Sequence, residues 1–172
     1  MEFLKLAKER YSVRQYSNKP VEEEKLAMVL EAGRVAPTAA NKQPQRIFVL
    51  KTVDEIKKLH ECTRYDFHSP IVLIIAYDKS VSWKRKYDAH DGGEIDASIV
   101  TTHMMLQAWE LGLGTCWVGS FDPVKVKELF AFPETFEPVA LFPLGYPSSD
   151  AKPIPLHYSR NALLEGVNLF TK

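Results

Sequence analysis

The chain has 172 residues, 45% of them hydrophobic, with 22 basic and 22 acidic side chains and a formal net charge of zero. This size suits one soluble globular domain, which buries roughly 70% of the surface of its unfolded chain and needs no disulfide or metal to fold. Zero net charge gives no drive toward nucleic acid or an anionic membrane, and it mildly favours a defined oligomer.

Hydrophobic periodicity and helix start signals predict the elements of the first half of the chain. In order they are a helix over about 2–10, a helix opened by glutamates at 22–24 and stopped by Pro37, a loop over 37–44, a strand over 46–50 and a short helix behind a capping box at 52–55. The first helix is predicted to present Phe3, Leu6 and Ala7 on one face. The second carries an apolar stripe of Leu26, Val29, Leu30 and Gly33.

The second half continues the alternation of strands and helices. Its predicted elements are a strand over 70–77, a polar connection over 78–90, a long helix from a capping box at 91–94 to about 111, a short strand over 115–118, a helix capped by Asp122 and a strand over 139–144. The unbroken apolar run of the 70–77 strand predicts burial on both of its faces. The alternation indicates a layered α/β-type domain, although it lacks simple βαβ regularity.

The last part of the chain has a different character. Prolines between Pro143 and Pro155 predict an extended tail that is not a central strand. Apolar residues follow that a short tail cannot cover by itself, so they must pack on their own domain or on a partner: Leu163, Leu164, Val167, Leu169 and Phe170.

Cellular location is predicted from what the chain lacks. The N-terminus shows no signal-peptide pattern, and the longest apolar stretch, Ile71 to Tyr77, is too short to cross a bilayer. Cys62 and Cys116 form no CxxC motif and suit reduced, mostly buried thiols. These features predict a cytoplasmic protein.

The first candidate for chemistry is the run from Arg10 to Arg14. Its two arginines, with Ser12 between them, can surround a phosphate, because guanidinium groups match phosphate oxygens in a bidentate way. The alternative is a solvated basic helix end, which the helix dipole also favours.

The second candidate is the loop from Pro37 to Pro44. Its small residues allow a flat ligand to approach the backbone, and Asn41 and Gln43 can bond polar ring edges or sugar hydroxyls. The alternative is an ordinary helix-to-strand connection.

The third candidate runs from Gly112 to Phe121. Its glycines end a helix instead of opening one, which disfavours a dinucleotide-binding Rossmann motif. Small residues around a short strand can turn backbone amides toward a cofactor. Alternatively, this is a helix end feeding a core strand, with Trp117 filling space.

Other chemistries are disfavoured. The five histidines have no paired metal-ligand spacing, so no metal site is predicted, and His103 on the long helix is interpreted as a core histidine. Ser120 is not in a GxSxG elbow, and no phosphate-binding P-loop is present. The run Lys84-Arg85-Lys86 is interpreted as a solvated loop that leaves open whether NADH or NADPH is preferred.

Taken in order, the three motifs resemble the FMN-dependent nitroreductase family. The matching segments are Arg10-x-Ser12-x-Arg14, Pro37-Thr38-x-x-Asn41-x-Gln43-Pro44, Leu111 to Gly119, and Tyr158-Ser159-Arg160 near the end. The resemblance covers nearly the whole chain, 1–172, as a single domain. It implies an α+β fold, a three-layer α/β/α sandwich whose central sheet is mostly antiparallel.

The resemblance also implies an intertwined homodimer. The C-terminal tail, about 147–172, would wrap the partner subunit, which explains its prolines and uncovered apolar residues. Two FMN molecules would lie at the interface, each touching both subunits.

Site residues follow from the matched positions. The resemblance assigns Arg10, Ser12, Arg14 and Arg160 to the phosphate and ribityl chain. It assigns a second set to the ribityl chain and ring edge from the other subunit: Pro37, Thr38, Asn41 and Gln43. Trp117 and Val118 would lie under the flavin ring, with the Gly119 amide donating toward the flavin N5. No side chain is required as a catalytic acid, base or nucleophile, since the flavin carries the chemistry.

The sequence departs from the family at two of these places. Thr38 replaces a common serine, and Gln45 stands where many relatives have an aromatic residue. In the family, the region of the short 78–90 connection helps to roof the pocket, so the resemblance makes Trp83, Tyr87 and His90 candidate substrate contacts.

The predicted function is electron transfer by a ping-pong mechanism from NADH or NADPH to a nitroaromatic, quinone or similar acceptor. Three alternatives stay open: a specialised family chemistry such as dehalogenation, dehydrogenation or flavin fragmentation; a flavin-binding protein without turnover; and a domain of this class that holds no flavin.

Overall fold

The computed structural model describes residues 2–167 of the chain. Its helices and strands are, in order, α1 (Phe3–Glu9), α2 (Glu23–Arg34), β1 (Gln45–Leu50), α3 (Val53–Leu59), β2 (Ile71–Asp78), α4 (Gly93–Glu110), β3 (Gly114–Thr115), α5 (Pro123–Leu129) and β4 (Phe136–Gly145). Short 3₁₀ turns lie at Ala39–Asn41, Pro155–Tyr158 and Leu163–Glu165. The predicted order of elements is confirmed, while the predictions for Leu169 and Phe170 lie outside the described residues.

The sheet has the strand order β1-β2-β4-β3, and every ladder in it is antiparallel. Because side chains alternate along a strand, β2 contributes side chains to two hydrophobic clusters, one on each face of the sheet. Its residues 71, 73 and 75 join a cluster with α2 and α4, whereas 72 and 74 join a cluster with α3 and α5. Both faces of β2 are therefore buried, and the predicted α+β sandwich of three layers is confirmed.

The central helix α4 is 18 residues long and packs tightly against α2. A Cβ added to Gly33 of α2 would lie 2.8 Å from the Met104 sulfur of α4. At 1.5 Å per residue, α4 spans about 27 Å, so the segments at its two ends are well separated.

Capping residues mark the starts of the shorter helices largely as predicted. Thr52 and Glu55 form the reciprocal capping box of α3, and Asp122 accepts hydrogen bonds from Val124 N and Lys125 N at the start of α5. The second predicted capping box is wrong: the N-cap of α4 is Gly92, with no side-chain cap. The Asp91 carboxylate is instead bonded to Ser82, Lys84 and the Gly93 amide.

Three smaller predictions also need correction. His103 is exposed rather than in the core, and its Nδ1 lies 2.9 Å from Ile99 O. In α1 only Leu6 is buried, while Phe3 is 66% exposed. The predicted 115–118 strand is shorter, because after Thr115 only a single bridge joins Val118 to Leu141.

Both cysteines, Cys62 and Cys116, are buried free thiols, as predicted. Within residues 2–167, no helix combines the length and the apolar character that a bilayer crossing requires.

Candidate functional site

The segment that follows α1 is clamped to β3. The Val13 amide donates to Thr115 O at 2.9 Å, and Ser12 forms a parallel bridge with Thr115. This approach requires a glycine at 114, since a Cβ there would lie 2.5 Å from a Val13 methyl carbon. Val13 points into the core, so the side chains on either side of it are carried by a fixed stretch of backbone.

One cleft beside this segment contains all four residues predicted to hold a phosphate. Arg10, Ser12, Arg14 and Arg160 line it, and its volume is about 290 Å³. We call these four residues the arginine cradle. Arg160 comes from the C-terminal segment, more than 140 positions from the other three, so the fold brings together what the sequence separates.

Two aromatic residues of the same cleft were missed by the sequence analysis. Tyr11 and His157 also line it. The Tyr11 hydroxyl donates to Ala151 O at 3.2 Å, and its ring meets Trp109 edge-on at 5.2 Å. Tyr11 therefore holds the C-terminal segment against the cleft. The position of Tyr11 between Arg10 and Ser12 of the motif was the sequence feature that could have identified it.

The electrostatics of the cradle favour an anion. Burial lowers the pKa of Arg10, and the nearby Arg160 guanidinium lowers it further. Within residues 2–167, no carboxylate forms a salt bridge with Arg10, Arg14 or Arg160. Three arginines elsewhere are paired with carboxylates: Arg34 with Glu31, Arg46 with Asp78 and Arg85 with Asp88. Concentrated positive charge without carboxylate partners is suited to binding phosphate.

Cys116 lies behind the cradle. Burial raises the pKa of its thiol, and the charges of Arg14 and Arg10 offset only part of that rise. A buried thiol with a raised pKa is neutral at physiological pH and is a poor nucleophile. Cys116 thus contributes packing rather than covalent chemistry.

The segment 117–119 continues from β3 beside the cradle. Trp117 is half-buried against the main core, and Gly119 is exposed. The Val118 side chain is 5% exposed, and its N–H and C=O are both bonded to Leu141. Trp117 and Gly119 are therefore the residues of this segment that are open to a ligand.

The loop 37–44 lies at the opposite end of α4. The Ala39 amide donates to Asp96 Oδ1 at 2.8 Å, in the first turn of α4. From Asp96 to the last residue of α4 is 14 positions, or about 21 Å along the helix axis. Within one chain the structure therefore does not bring Pro37, Thr38, Asn41 or Gln43 to the arginine cradle.

Backbone conformation gives this loop its shape. Ala40, Asn41 and Gln43 have φ values of 50°, 53° and 48°, in the left-handed region that side chains other than glycine rarely adopt. The Gln43 amide donates to Thr38 Oγ1 at 3.0 Å, which closes the turn.

Asp96 is a residue of this region that the sequence analysis missed. It is 2% exposed, and its second oxygen, like Gln45 Oε1, has no hydrogen-bond partner within the described residues. The signal was an acidic residue on the apolar face of α4, among Ala97, Val100 and Met104. Asp96 anchors the loop through the Ala39 amide.

The predicted substrate contacts lie near the same end of α4. Trp83 packs on Gly92, whose amide donates to Trp83 O at 2.9 Å. Tyr87 is 97% exposed, and His90 is also exposed. The structure thus groups these three residues with the 37–44 loop rather than with the cradle.

The fold and the cleft together define a class: an antiparallel α/β/α sandwich that carries an arginine-lined cleft. The sequence profile of the nitroreductase family matches residues 7–67 and 62–146. The chain belongs to the nitroreductase family.

Individual proteins resemble it along most of their length. A nitroreductase family protein from Clostridium difficile 630 is 40% identical, with a TM-score of 0.93 over 100% of both chains. A protein from Methanothermobacter thermautotrophicus, provisionally named NADH dehydrogenase/NAD(P)H nitroreductase, is 29% identical over 87% of this chain and 80% of its own.

One structural neighbour was solved with a cofactor. It is a protein from Desulfovibrio desulfuricans, provisionally described as a nitroreductase and solved in complex with FMN. It has a TM-score of 0.82 and 24% identity, covering 100% of this chain and 98% of its own. At this identity the comparison supports the shared fold.

Proposed function

We propose that this protein is an FMN-dependent oxidoreductase that moves electrons from NADH or NADPH to a nitroaromatic, quinone or similar small acceptor by a ping-pong mechanism. The observation that supports this most directly is the arginine cradle, in which three guanidinium groups line one cleft and form no salt bridge with a carboxylate among residues 2–167. The relative solved with FMN and the relative named for NAD(P)H agree with it.

The residues of the cradle fit the phosphate of FMN. A dianionic phosphate would relieve the repulsion between Arg10 and Arg160, and the Ser12 hydroxyl can donate a further hydrogen bond. Hydrogen bonds to charged groups contribute roughly 1.5–3 kcal/mol each, enough for several arginines to retain the cofactor through purification.

Bound FMN supplies the redox chemistry that no side chain of the site offers. The chain's own residues position the reactants. Trp117 gives an apolar floor next to the cradle, and the exposed backbone of Gly119 offers an amide donor. The neutral Cys116 thiol adds no competing nucleophile.

Two copies of the chain would be needed for a complete site. The cradle and the 37–44 loop lie at opposite ends of α4, and a twofold axis across the middle of that helix would bring one copy's loop to the other's cradle. An apolar groove between α1, α2 and α4, lined by Phe3, Met28 and Leu106 among others, offers a surface for such pairing. Wrapping of the C-terminal tail, about 147–172, around the partner subunit belongs to the same proposal.

Visible spectroscopy tests the cofactor and the donor together. Purified, desalted protein is expected to show a flavin band that bleaches on anaerobic mixing with NADH or NADPH. The double variant Arg10→Ala/Arg14→Ala should weaken FMN binding by about 3–6 kcal/mol, a factor of roughly 10² to 10⁴. The control is Lys5→Ala/Arg34→Ala, which removes two positive charges from exposed pairs elsewhere.

The outcomes separate the proposals. Unchanged FMN content and turnover in the cradle variant would show that the site is wrongly assigned. A flavin band that neither nucleotide bleaches would keep the site but exclude these donors. A colourless protein that refuses added FMN would overturn the whole proposal.

Subunit mixing tests the shared site. A cradle variant (Arg10→Ala/Arg14→Ala) and a loop variant (Asn41→Ala/Gln43→Ala) are each expected to be poor in FMN. After they are unfolded and refolded together, hybrid dimers would each hold one intact site, which restores about a quarter of all sites. No recovery, with hybrids shown to form, would mean that each chain builds its own site.

A further inference from the structure

A second cluster of polar side chains lies in the connection between α3 and β2. His60, Asp66 and His68 each offer one ligand atom there, and these atoms all lie within 4.8 Å of one another. His60 Nε2 is 2.8 Å from Asp66 Oδ2, and the two imidazole ring centres are 6.4 Å apart. The spacing of histidines in the sequence predicted no metal site, yet the fold of this short segment assembles three ligand types that metals use.

The backbone turns back on itself to make this cluster. Phe67 and His68 have φ values of 54° and 53°, and the Ser69 amide closes the turn on Asp66 O at 3.2 Å. Two consecutive left-handed residues reverse the chain direction. The reversal returns the His68 ring toward the end of α3, where His60 lies.

Asp66 is a buried carboxylate, which favours a positively charged partner in this cluster. Its side chain is only 5% exposed, and a buried carboxylate is costly unless it is paired. Its side-chain partner is His60, which is 44% exposed. A metal cation held by both side chains would supply positive charge directly beside this carboxylate.

We propose that His60, Asp66 and His68 form a binding site for Zn²⁺ or a closely similar first-row divalent metal. Zinc bonds to histidine nitrogen and carboxylate oxygen are about 2.0–2.2 Å long, which places tetrahedral ligand atoms about 3.3 Å apart. The 2.8 Å between His60 Nε2 and Asp66 Oδ2 lies below that value, and all three ligand atoms lie within 4.8 Å of one another. Small side-chain movements would bring the three ligand atoms to the tetrahedral spacing.

Ligand chemistry narrows the choice of metal. Two imidazoles and one carboxylate suit zinc, cobalt, nickel or copper, whereas magnesium and calcium prefer all-oxygen sites. Both histidines are exposed, so the metal can enter from solvent and keep a water molecule as its fourth ligand.

The loop that carries this cluster also contacts the segments around the cradle. Thr63 Oγ1 donates to Ser120 O at 2.8 Å, and the Asp122 amide donates to Cys62 O at 2.9 Å. Phe67 lines a cleft together with Ser12 and Arg14. A bound metal would therefore brace the loop between the cradle and the turn after Gly119. The metal site itself does not depend on the proposed flavin chemistry.

Calorimetric titration of tag-free, chelator-treated protein with ZnCl₂ tests the site. One equivalent per chain is expected to bind, with a rise in melting temperature, and CoCl₂ should give visible absorption bands of a low-coordinate nitrogen and oxygen site. MgCl₂ should give no comparable binding. His60→Gln and His68→Asn should each lower zinc affinity by more than the roughly 10- to 100-fold seen for outer-shell partners. Asparagine is chosen at 68 because it tolerates the left-handed backbone.

The control is His103→Gln, on exposed α4 surface away from the cluster, which should bind zinc as the parent does. Melting curves without metal establish that each variant is folded. The inference is wrong if the folded parent binds no zinc, or if binding survives in both cluster variants. FMN content is recorded separately, so the zinc-binding result can be interpreted even if the flavin proposal fails.

Discussion

The two ends of α4 carry the two halves of the candidate site, and different physical causes shape them. At the C-terminal end, the arginine cradle concentrates charge on a segment that backbone hydrogen bonds clamp to β3. At the N-terminal end, the loop 37–44 has left-handed backbone conformations and one buried anchor, Asp96. The cradle is thus specified by side-chain type, whereas the loop is specified by conformation.

This difference has a practical meaning for ligand binding. Charge-dependent binding at the cradle weakens as salt screens it. Contacts made by the backbone of a shaped loop depend instead on whether the loop keeps its conformation. Substitutions that disturb the two ends should therefore separate the two contributions.

The largest effect is expected from adding a methyl group at the tightly packed glycine near each end of α4. Gly114→Ala would place a Cβ 2.5 Å from Val13, and Gly93→Ala would place one 2.1 Å from the Tyr77 ring. Overpacking of this kind costs about 1–3 kcal/mol, and urea unfolding would measure it. Gly166→Ala, where the nearest atom is 4.0 Å away, is the control. Equal stability of all three variants would contradict the packing described.

A smaller effect is expected from removing the loop anchor. Asp96→Ala leaves the Ala39 amide without its acceptor, which should destabilise the loop by about 1–2 kcal/mol. Amide hydrogen exchange in 37–44 should then be about 5- to 30-fold faster, while residues 12–14 keep their protection. Asp88→Ala, at an exposed carboxylate paired with Arg85, is the control. Unchanged exchange would mean that the loop holds its shape without Asp96.

The smallest effect concerns acid stability near the start of the C-terminal segment. A hydrogen bond from the Tyr146 hydroxyl lowers the pKa of Glu22 from its ordinary 4.5 to about 2. Because the folded pKa is depressed, this contribution is complete above pH 4.5 and is lost as the pH falls toward 2. Glu22→Gln should therefore flatten the loss of stability in that window, and only slightly, since the side chain is exposed.

Unfolding in urea at pH 5 and pH 3 measures this effect. Glu24→Gln, at an exposed residue of the same helix, is the control. If both variants lose stability with the same slope as the parent, Tyr146 does not couple to Glu22 in this way.

Much of the fold could be predicted because local signals and burial agree. The apolar run of β2 indicated a strand covered on both faces, and the Thr52 capping box and the Asp122 cap marked helix starts that the structure confirms. The start of α4 was wrong by one residue because Asp91 bonds within its own loop, and a sequence pattern does not show that competition.

The candidate site was less accessible to prediction. The motif from Arg10 to Arg14 indicated an anion site, and Arg160 was assigned only through a family resemblance. Asp96 and the cluster around Asp66 depend on folding that joins distant or reversed segments, so no spacing rule marks them. The burial of Val118 likewise follows from its pairing with Leu141, a contact across 23 positions of the chain.

Cys116 lies buried beneath the arginine cradle, so chemical labelling of its thiol can report when this part of the protein opens. Only 3% of this residue is exposed, so an alkylating reagent can reach it only when the floor of the cradle separates from the core. In a protein whose Cys62 is replaced by serine, the labelling rate is proportional to the fraction of time that the floor is open, because the neutral thiol reacts slowly. An anion that bridges the arginines above it should slow the labelling, so the labelling rate becomes a measure of ligand occupancy.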